Sequence, residues 1–223
     1  VLGHDLRNPL GSASMSAEVL LRDEAMSPRS AAAAVRVKKA SARMSHLIED
    51  LIDFTRTRLG TKLPMRTTHA EITRVVREIV DEMRTLHPRR DIVLTMDSEQ
   101  WGHWDVGRIG QLLSNLVGNA IQHGDRQAPV TVAVRAENGS ICLSVHNEGR
   151  PIPPEAIAQI FEPLTRLATL DDPDSENTPS IGMGLYICRE IARAHGGTIE
   201  VVSGPGQGTT FVVRLPRQAG RDP

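Results

Sequence analysis

His4 and Asp5 stand side by side near the start of the 223-residue chain, followed within about one helical turn by Asn8 and Pro9. A neutral, exposed imidazole is a competent nucleophile toward phosphorus. A carboxylate beside it that hydrogen-bonds one ring nitrogen makes the other more basic. Stepping about 100° per residue around a helix puts His4 opposite a seam of Leu2, Leu6, Leu10, Ala13, Ala17 and Leu20, with Asn8 on the histidine's side. Pro9 inside a helix costs ~3 kcal/mol and releases the carbonyl about four residues earlier, so it is expected to kink or loosen the turn that carries His4. By position alone, an exposed helix histidine without a task is the commoner case.

A second set of polar residues lies between Asp105 and Gly124, where Gln111, Asn115, Asn119 and Gln122 fall on one helical face and Leu112, Leu116, Ala120 and Ile121 line much of the rest. Asparagine is a poor helix former, and burying several unpartnered amides would cost roughly 1 to 3 kcal/mol apiece. A polar ligand accounts for them, and so does a solvated helix face. Downstream, Gly182-Met183-Gly184-Leu185 opens a helix whose amides and dipole can receive phosphate oxygens. The string Asn147-Glu148-Gly149-Arg150-Pro151 reads equally well as a turn or as part of a binding site.

These residues need two kinds of scaffold. The first leucine seam ends at Met26-Ser27-Pro28-Arg29, where Ser27 can cap a new helix with Pro28 at its first position. From about Ser30 to Leu59 a second seam of Met44, Leu47, Ile48, Leu51 and Ile52 follows, with Gly60 as its stop. A hairpin of two helices has too little core to stand alone, so a four-helix bundle formed by a homodimer is expected. After a linker at 61–66 the texture changes to α+β over residues 67–218, leaving a tail at 219–223. Apolar spacing predicts helices over Ile72–Leu86, Val106–His123 and Gly184–His195. Strands are predicted over Ile92–Met96, Val130–Arg135, Ile141–His146, Thr198–Ser203 and Thr209–Leu215. Glu137-Asn138-Gly139 signals a hairpin turn, and Ala168–Ser180, poor in apolar residues, is expected to be a mobile loop.

With 39% hydrophobic and 24% charged residues, the composition is that of a globular protein and excludes a disordered chain. A net charge of -1 gives no bulk attraction to nucleic acid. No apolar run reaches the ~20 residues of a membrane helix, so no direct membrane contact is expected of this stretch. Cys142 and Cys188 lack metal-type spacing and read as reduced thiols in a cytoplasmic setting. The opening residues read as the middle of a helix, so an upstream sensor or membrane anchor in a longer protein is expected.

The run His4-Asp5-Leu6-Arg7-Asn8-Pro9-Leu10 resembles the H-box of sensor histidine kinases, and Arg43–Gly60 resembles the end of their dimerisation hairpin. The Asp105–Gly124 segment resembles the N-box of the Bergerat ATP-binding fold, an α/β sandwich shared by histidine kinases, gyrase-type ATPases and a heat-shock protein. Val145–Ile152 looks like the adenine-binding G1 box, Ile160–Leu164 the F-box, and Gly182–Ile187 the G2 box; His195-Gly196-Gly197 and Gly206–Phe211 reproduce the family ending. The resemblance covers essentially the whole chain, in order.

It implies ATP-dependent phosphorylation of His4, with Asp5 assisting proton transfer, followed by passage of the phosphoryl group to an aspartate of a response-regulator receiver domain. Asn8 matches the residue that orients water when such a protein dephosphorylates its partner. Asn119 matches the Mg²⁺ ligand, and His123 an aromatic or histidine position beside the nucleotide. Asn147, Gly149 and Ile152 fall in the implied adenine-binding string and Thr209, a further nucleotide-binding position, in the family ending, while Phe161 marks the start of the lid, Arg166 is a phosphate contact, and Gly182, Gly184 and Leu185 belong to the G2 box. Three departures stand out. Asn115 replaces the glutamate of the ATP-hydrolysing branches, which favours transfer over hydrolysis. Asn147 replaces an aspartate, and Gln122 replaces a basic phosphate contact. A gyrase-like ATPase, a degenerate dimeric interaction module without nucleotide, and a protein dominated by phosphatase activity are the rival readings. The basic residues Arg36, Lys38, Lys39, Arg43, Arg56 and Arg58 fit either a docking face for an acidic receiver or a solvated helix face.

Overall fold

The computed structural model describes residues 2–23, 25–137, 139–165 and 182–217, with side chains from residue 8 onward. The chain divides into two compact units, Val1–Thr61 and Lys62–Pro223.

The first unit is a helical hairpin. Helix α1 (Leu2–Leu21) continues through Pro9, and α2 spans Pro28–Arg58. Ser27 caps α2 by accepting a hydrogen bond from Ser30 N at 3.2 Å, and Pro28 opens the helix as the Ser-Pro pair predicts. Gly60, at φ +75°, follows its end and donates to Thr57 O at 3.1 Å. Among the described residues of this hairpin Ala17 and Ala34 are the buried apolar ones, small side chains that let helices approach closely. Met44 and Leu51, expected within the second seam, stay about half exposed (45% and 46%), whereas Ser41, Asp50 and Asp53 are buried. Each helix has a single neighbour within the hairpin, and one neighbour cannot cover a stripe as wide as the apolar pattern of α2.

The second unit is a two-layer α/β sandwich. Its sheet combines β2 (Ile92–Met96), β4 (Val130–Glu137), β5 (Ser140–Asn147), β6 (Thr198–Gly204) and β7 (Gly208–Pro216) in the order β2-β4-β5-β7-β6. Among the described strands of this sheet only β2 and β4 pair in parallel. Helices α3 (Ile72–Leu86), α4 (Val106–His123) and α6 (Gly184–Ala194) pack with the sheet. The core forms where Ile109, Leu112, Leu113 and Leu116 of α4 meet Ile187 of α6, Ile141 and Leu143 of β5, and Phe211 and Val213 of β7. Cys142 and Cys188 are buried thiols rather than a disulfide, and burial pushes the Cys142 thiol up.

The predicted helices and strands recur with ends shifted by two residues at most, and the Glu137↔Ser140 pair closes the expected hairpin over Gly139 at φ +83°. Asn138 lies outside the described residues. Three short elements had escaped the periodicity: β1 (Thr68–Glu71), β3 (Trp101–Trp104) and α5 (Pro154–Ile157). β1 and β3 form a separate antiparallel ribbon. It is fastened to the end of β7 by His103 N donating to Arg217 O and Trp104 Nε1 to Pro216 O.

Candidate nucleotide site

Helix α4 is the central positioning element. Six of its apolar residues are buried, which turns Gln111, Asn115, Asn119 and Gln122 to a partly exposed side, as the spacing predicts. Its first turn is fixed by Asp105, whose Oδ1 accepts from Arg108 N at 3.1 Å and whose Oδ2 accepts from Arg66 N at 2.6 Å. The Asp105 backbone N–H donates to His195 Nε2 at 3.1 Å, while His195 Nδ1 donates to Ile191 O at 2.8 Å. These two partners fix the neutral tautomer with the proton on Nδ1. Nothing local in the sequence assigns this clamp to His195; only the turn glycines beside it mark the end of α6.

Burial lowers the His195 pKa from its ordinary 6.5. The unfolded chain therefore takes up this proton more readily than the folded one, and stability falls as pH drops below about 6.5. Thermal unfolding between pH 7.5 and 5 should show the midpoint decreasing toward acid, and His195→Gln should flatten that slope relative to wild type.

At the far end of α4, Asp125 N donates to Glu148 O at 2.7 Å, and Gly124 bridges Gly149. Gly149 has φ +142°, and a Cβ there would lie 3.1 Å from both His123 O and Asp125 N. The close approach this glycine permits in the structure is therefore to the backbone at the end of α4. His123 is exposed in the last helical turn.

The neighbouring wall comes from β5 and β7. Asn147 is buried opposite Thr209, and its Nδ2 donates to Glu148 O at 3.1 Å, which leaves Oδ1 as the acceptor end of the amide. Thr209 Oγ1 lies 2.7 Å from Ser203 Oγ, which also accepts from Ile152 N at 2.9 Å. Ser203 was not singled out from sequence; its role comes from register, since it pairs with Thr209 across β6 and β7. Gly208, at φ +62°, passes so close to the Asn147 carbonyl that no Cβ fits. Beneath this wall Arg90 Nη1 donates to Asp125 O at 2.7 Å, while its Nε and Nη2 are buried without a partner.

The third side is the start of α6. Asn115 Nδ2 reaches Gly184 O at 3.5 Å, which joins the polar face of α4 to the glycine turn. Leu164 N donates to Gly182 O at 3.0 Å, with both residues at positive φ (62° and 73°), and a Cβ on Gly182 would stand 2.7 Å from Thr165 O. Leu185 occupies the first turn of α6 and is half-buried. Phe161 meets Phe211 edge to face at 6.3 Å, which anchors that segment to the core. Arg166 and Ala168–Ser180 lie outside the described residues. On the hairpin, His4 and Asp5 lie within α1, though their side chains are not among those described, and Asn8 is exposed.

Residues 1–60 match the model of the His Kinase A (phospho-acceptor) domain. Residues 104–219, just over half of the chain, match that of the histidine kinase-, DNA gyrase B- and HSP90-like ATPases. A bacteriophytochrome of Pseudomonas aeruginosa is 34% identical over 98% of the chain, which spans 29% of that relative. The sensor-like histidine kinase SenX3 of Mycobacterium tuberculosis is 30% identical over 96% of the chain, which spans 52% of that protein. The chain thus covers between about a third and a half of these relatives. The catalytic domain of histidine kinase ThkA superposes with a TM-score of 0.60 at 28% identity, covering 70% of this chain and 98% of that domain. Full-length ShkA in complex with AMPPNP shares the fold over 99% of this chain and 46% of its own, with a TM-score of 0.70 at 24% identity. With a phospho-acceptor hairpin followed by an ATPase-like unit, both matched in the same order, the chain belongs to the sensor histidine kinases.

Proposed function

We propose that the chain transfers the γ-phosphoryl group of ATP to His4 and then passes it to an aspartate of a response-regulator receiver domain. One observation carries the reading. Asn115 Nδ2 reaches Gly184 O, so the polar side of α4 lies beside the N-terminal end of α6, where unpaired helix amides can receive an anion. Those groups suit a polyphosphate and not an apolar ligand. Gly182, Gly184 and Leu185 would receive phosphate oxygens, with Gln122 and His123 at the end of α4 and Arg166, by its motif position, as further contacts. Asn147 Oδ1 would accept from the exocyclic amine of adenine, with Gly149, Ile152 and Thr209 around the base and Phe161 bracing the lid.

The donor set also fits Mg²⁺. Among the described residues no cluster of three or more His, Cys, Asp or Glu could hold a metal. Mg²⁺ commonly takes one or two protein oxygens and completes its shell with phosphates and water. The half-buried Asn119 amide would supply such an oxygen, and the ion would neutralise phosphate charge. Asp5 would hold one imidazole nitrogen of His4 and leave the other free to attack, since phosphoryl transfer depends chiefly on positioning and electrostatics. The apolar residues left exposed on the hairpin, Met15, Val19, Met44 and Leu51 among them, would be covered by a second copy in a four-helix bundle. No helix among the described residues is long and apolar enough to cross a membrane, in keeping with a cytoplasmic location for this stretch.

Incubation with Mg²⁺ and γ-labelled ATP tests the reading. Acid-labile, alkali-stable label on the protein is expected, transferable to a receiver domain. Steady phosphate release without protein label would instead support the gyrase-like ATPase.

The Asn147 position gives a further expectation. A carboxylate there would form the stronger, charge-assisted bond to adenine and would stand near the buried donors of Arg90. Asn147→Asp should tighten ATP by about 3- to 10-fold, equivalent to roughly 1 kcal/mol, measurable by calorimetry.

A further inference from the structure

On the ribbon of β1 and β3, His69 and His103 are directly paired across the strands, both exposed on the same face. Their ring centroids are 5.2 Å apart, and Trp101 stacks on His69 at 5.3 Å with an interplanar angle of 19°. Direct cross-strand partners hold their Cβ atoms about 5 Å apart, and the ribbon is fastened to β7 from behind, so the pair is held on a rigid base. None of these residues takes part in the nucleotide site.

We propose that His69 and His103 form a bidentate site for an imidazole-preferring divalent transition metal, with Cu²⁺ bound most tightly. A metal at about 2.0–2.1 Å from one nitrogen of each ring fits between imidazoles at this spacing. No described cluster of three or more ligands includes them, so water fills the remaining positions. Two neutral nitrogens select Cu²⁺ over Ni²⁺ and Zn²⁺ by the usual order of affinities, and give Mg²⁺ or Ca²⁺ nothing they prefer. Bound metal would cross-link β1 to β3.

Trp101 supplies the readout. The chain has two tryptophans. Trp101 is 46% exposed against His69, whereas Trp104 is buried. Titrating the full 223-residue chain with Cu²⁺ should quench tryptophan fluorescence saturably at one equivalent, while Mg²⁺ leaves it unchanged. His69→Asn and His103→Asn, both at exposed positions, should each weaken binding about 10-fold or more, because the second ligand no longer binds intramolecularly. Trp101→Phe should remove most of the optical signal and leave the calorimetric binding in place. Quenching that never saturates, or a His103→Asn protein that binds Cu²⁺ as tightly as wild type while circular dichroism shows it folded, would overturn the proposal.

Discussion

His4→Gln should eliminate phosphoprotein formation from γ-labelled ATP, a loss of at least about a thousandfold against wild type, since a nucleophile has no partial substitute. Glutamine keeps the polarity and length of the side chain and suits a helix, so α1 should persist. The proposed nucleotide-binding groups all belong to the unit Lys62–Pro223, so ATP affinity should change little. Filter-bound label and calorimetric ATP binding, measured on the same preparation, separate the two effects. Full labelling of the variant would move the acceptor to another residue and remove the role given to Asp5.

Asn119→Ala should slow labelling by about 10² to 10³, the usual effect of removing one preorganised electrostatic contact from a transition state. The side chain is half-buried on the polar side of α4, so the fold should lose no more than about 1 kcal/mol. Asn119→Asp retains an oxygen and should recover part of the rate, which a purely structural asparagine would not predict. Single-turnover labelling at saturating ATP measures the effect, with thermal unfolding as the control. An unaltered rate in Asn119→Ala would leave Mg²⁺ without its proposed protein ligand. Mixing His4→Gln with Asn119→Ala extends both tests. Label regained in the mixture means that one copy phosphorylates the other, and none regained means that each copy serves itself.

Much of the sandwich could be read because its elements are long and their burial is one-sided. Helix α4 shows an apolar set and a polar set at helical spacing, and both its ends fall where the pattern places them. The ribbon escaped because four residues such as Trp101-Gly102-His103-Trp104 are too few to establish a period, and the strand's partner lies far away in sequence. The second seam of α2 was visible as a pattern, but a hairpin alone leaves Met44 and Leu51 uncovered, because a pattern states what must be buried and not by which chain. At the proposed nucleotide site the candidate residues came from local strings. Their supports did not. His195, Ser203 and Arg90 act through bonds to residues brought close only by folding: Asp105, Ile152 and Asp125. The backbone of Gly124 and Asp125 that approaches Gly149 could be found only in three dimensions.

The fastening of α4 at both ends has a consequence for its length. His195 holds the backbone at Asp105, and Glu148 holds it at Asp125, so the helix is clamped like a shaft between two bearings. Adding or removing one residue between the clamps would turn everything beyond that point by about 100°. An added residue ahead of Asn115 would move Asn119 to the buried place of Ala120, and a lost one would bring Leu116 to the place of Asn115 on the polar side. The spacing between the clamps is thus a rotational setting, and a substitution on the exposed side disturbs less of the helix than a change in the number of residues that carry it.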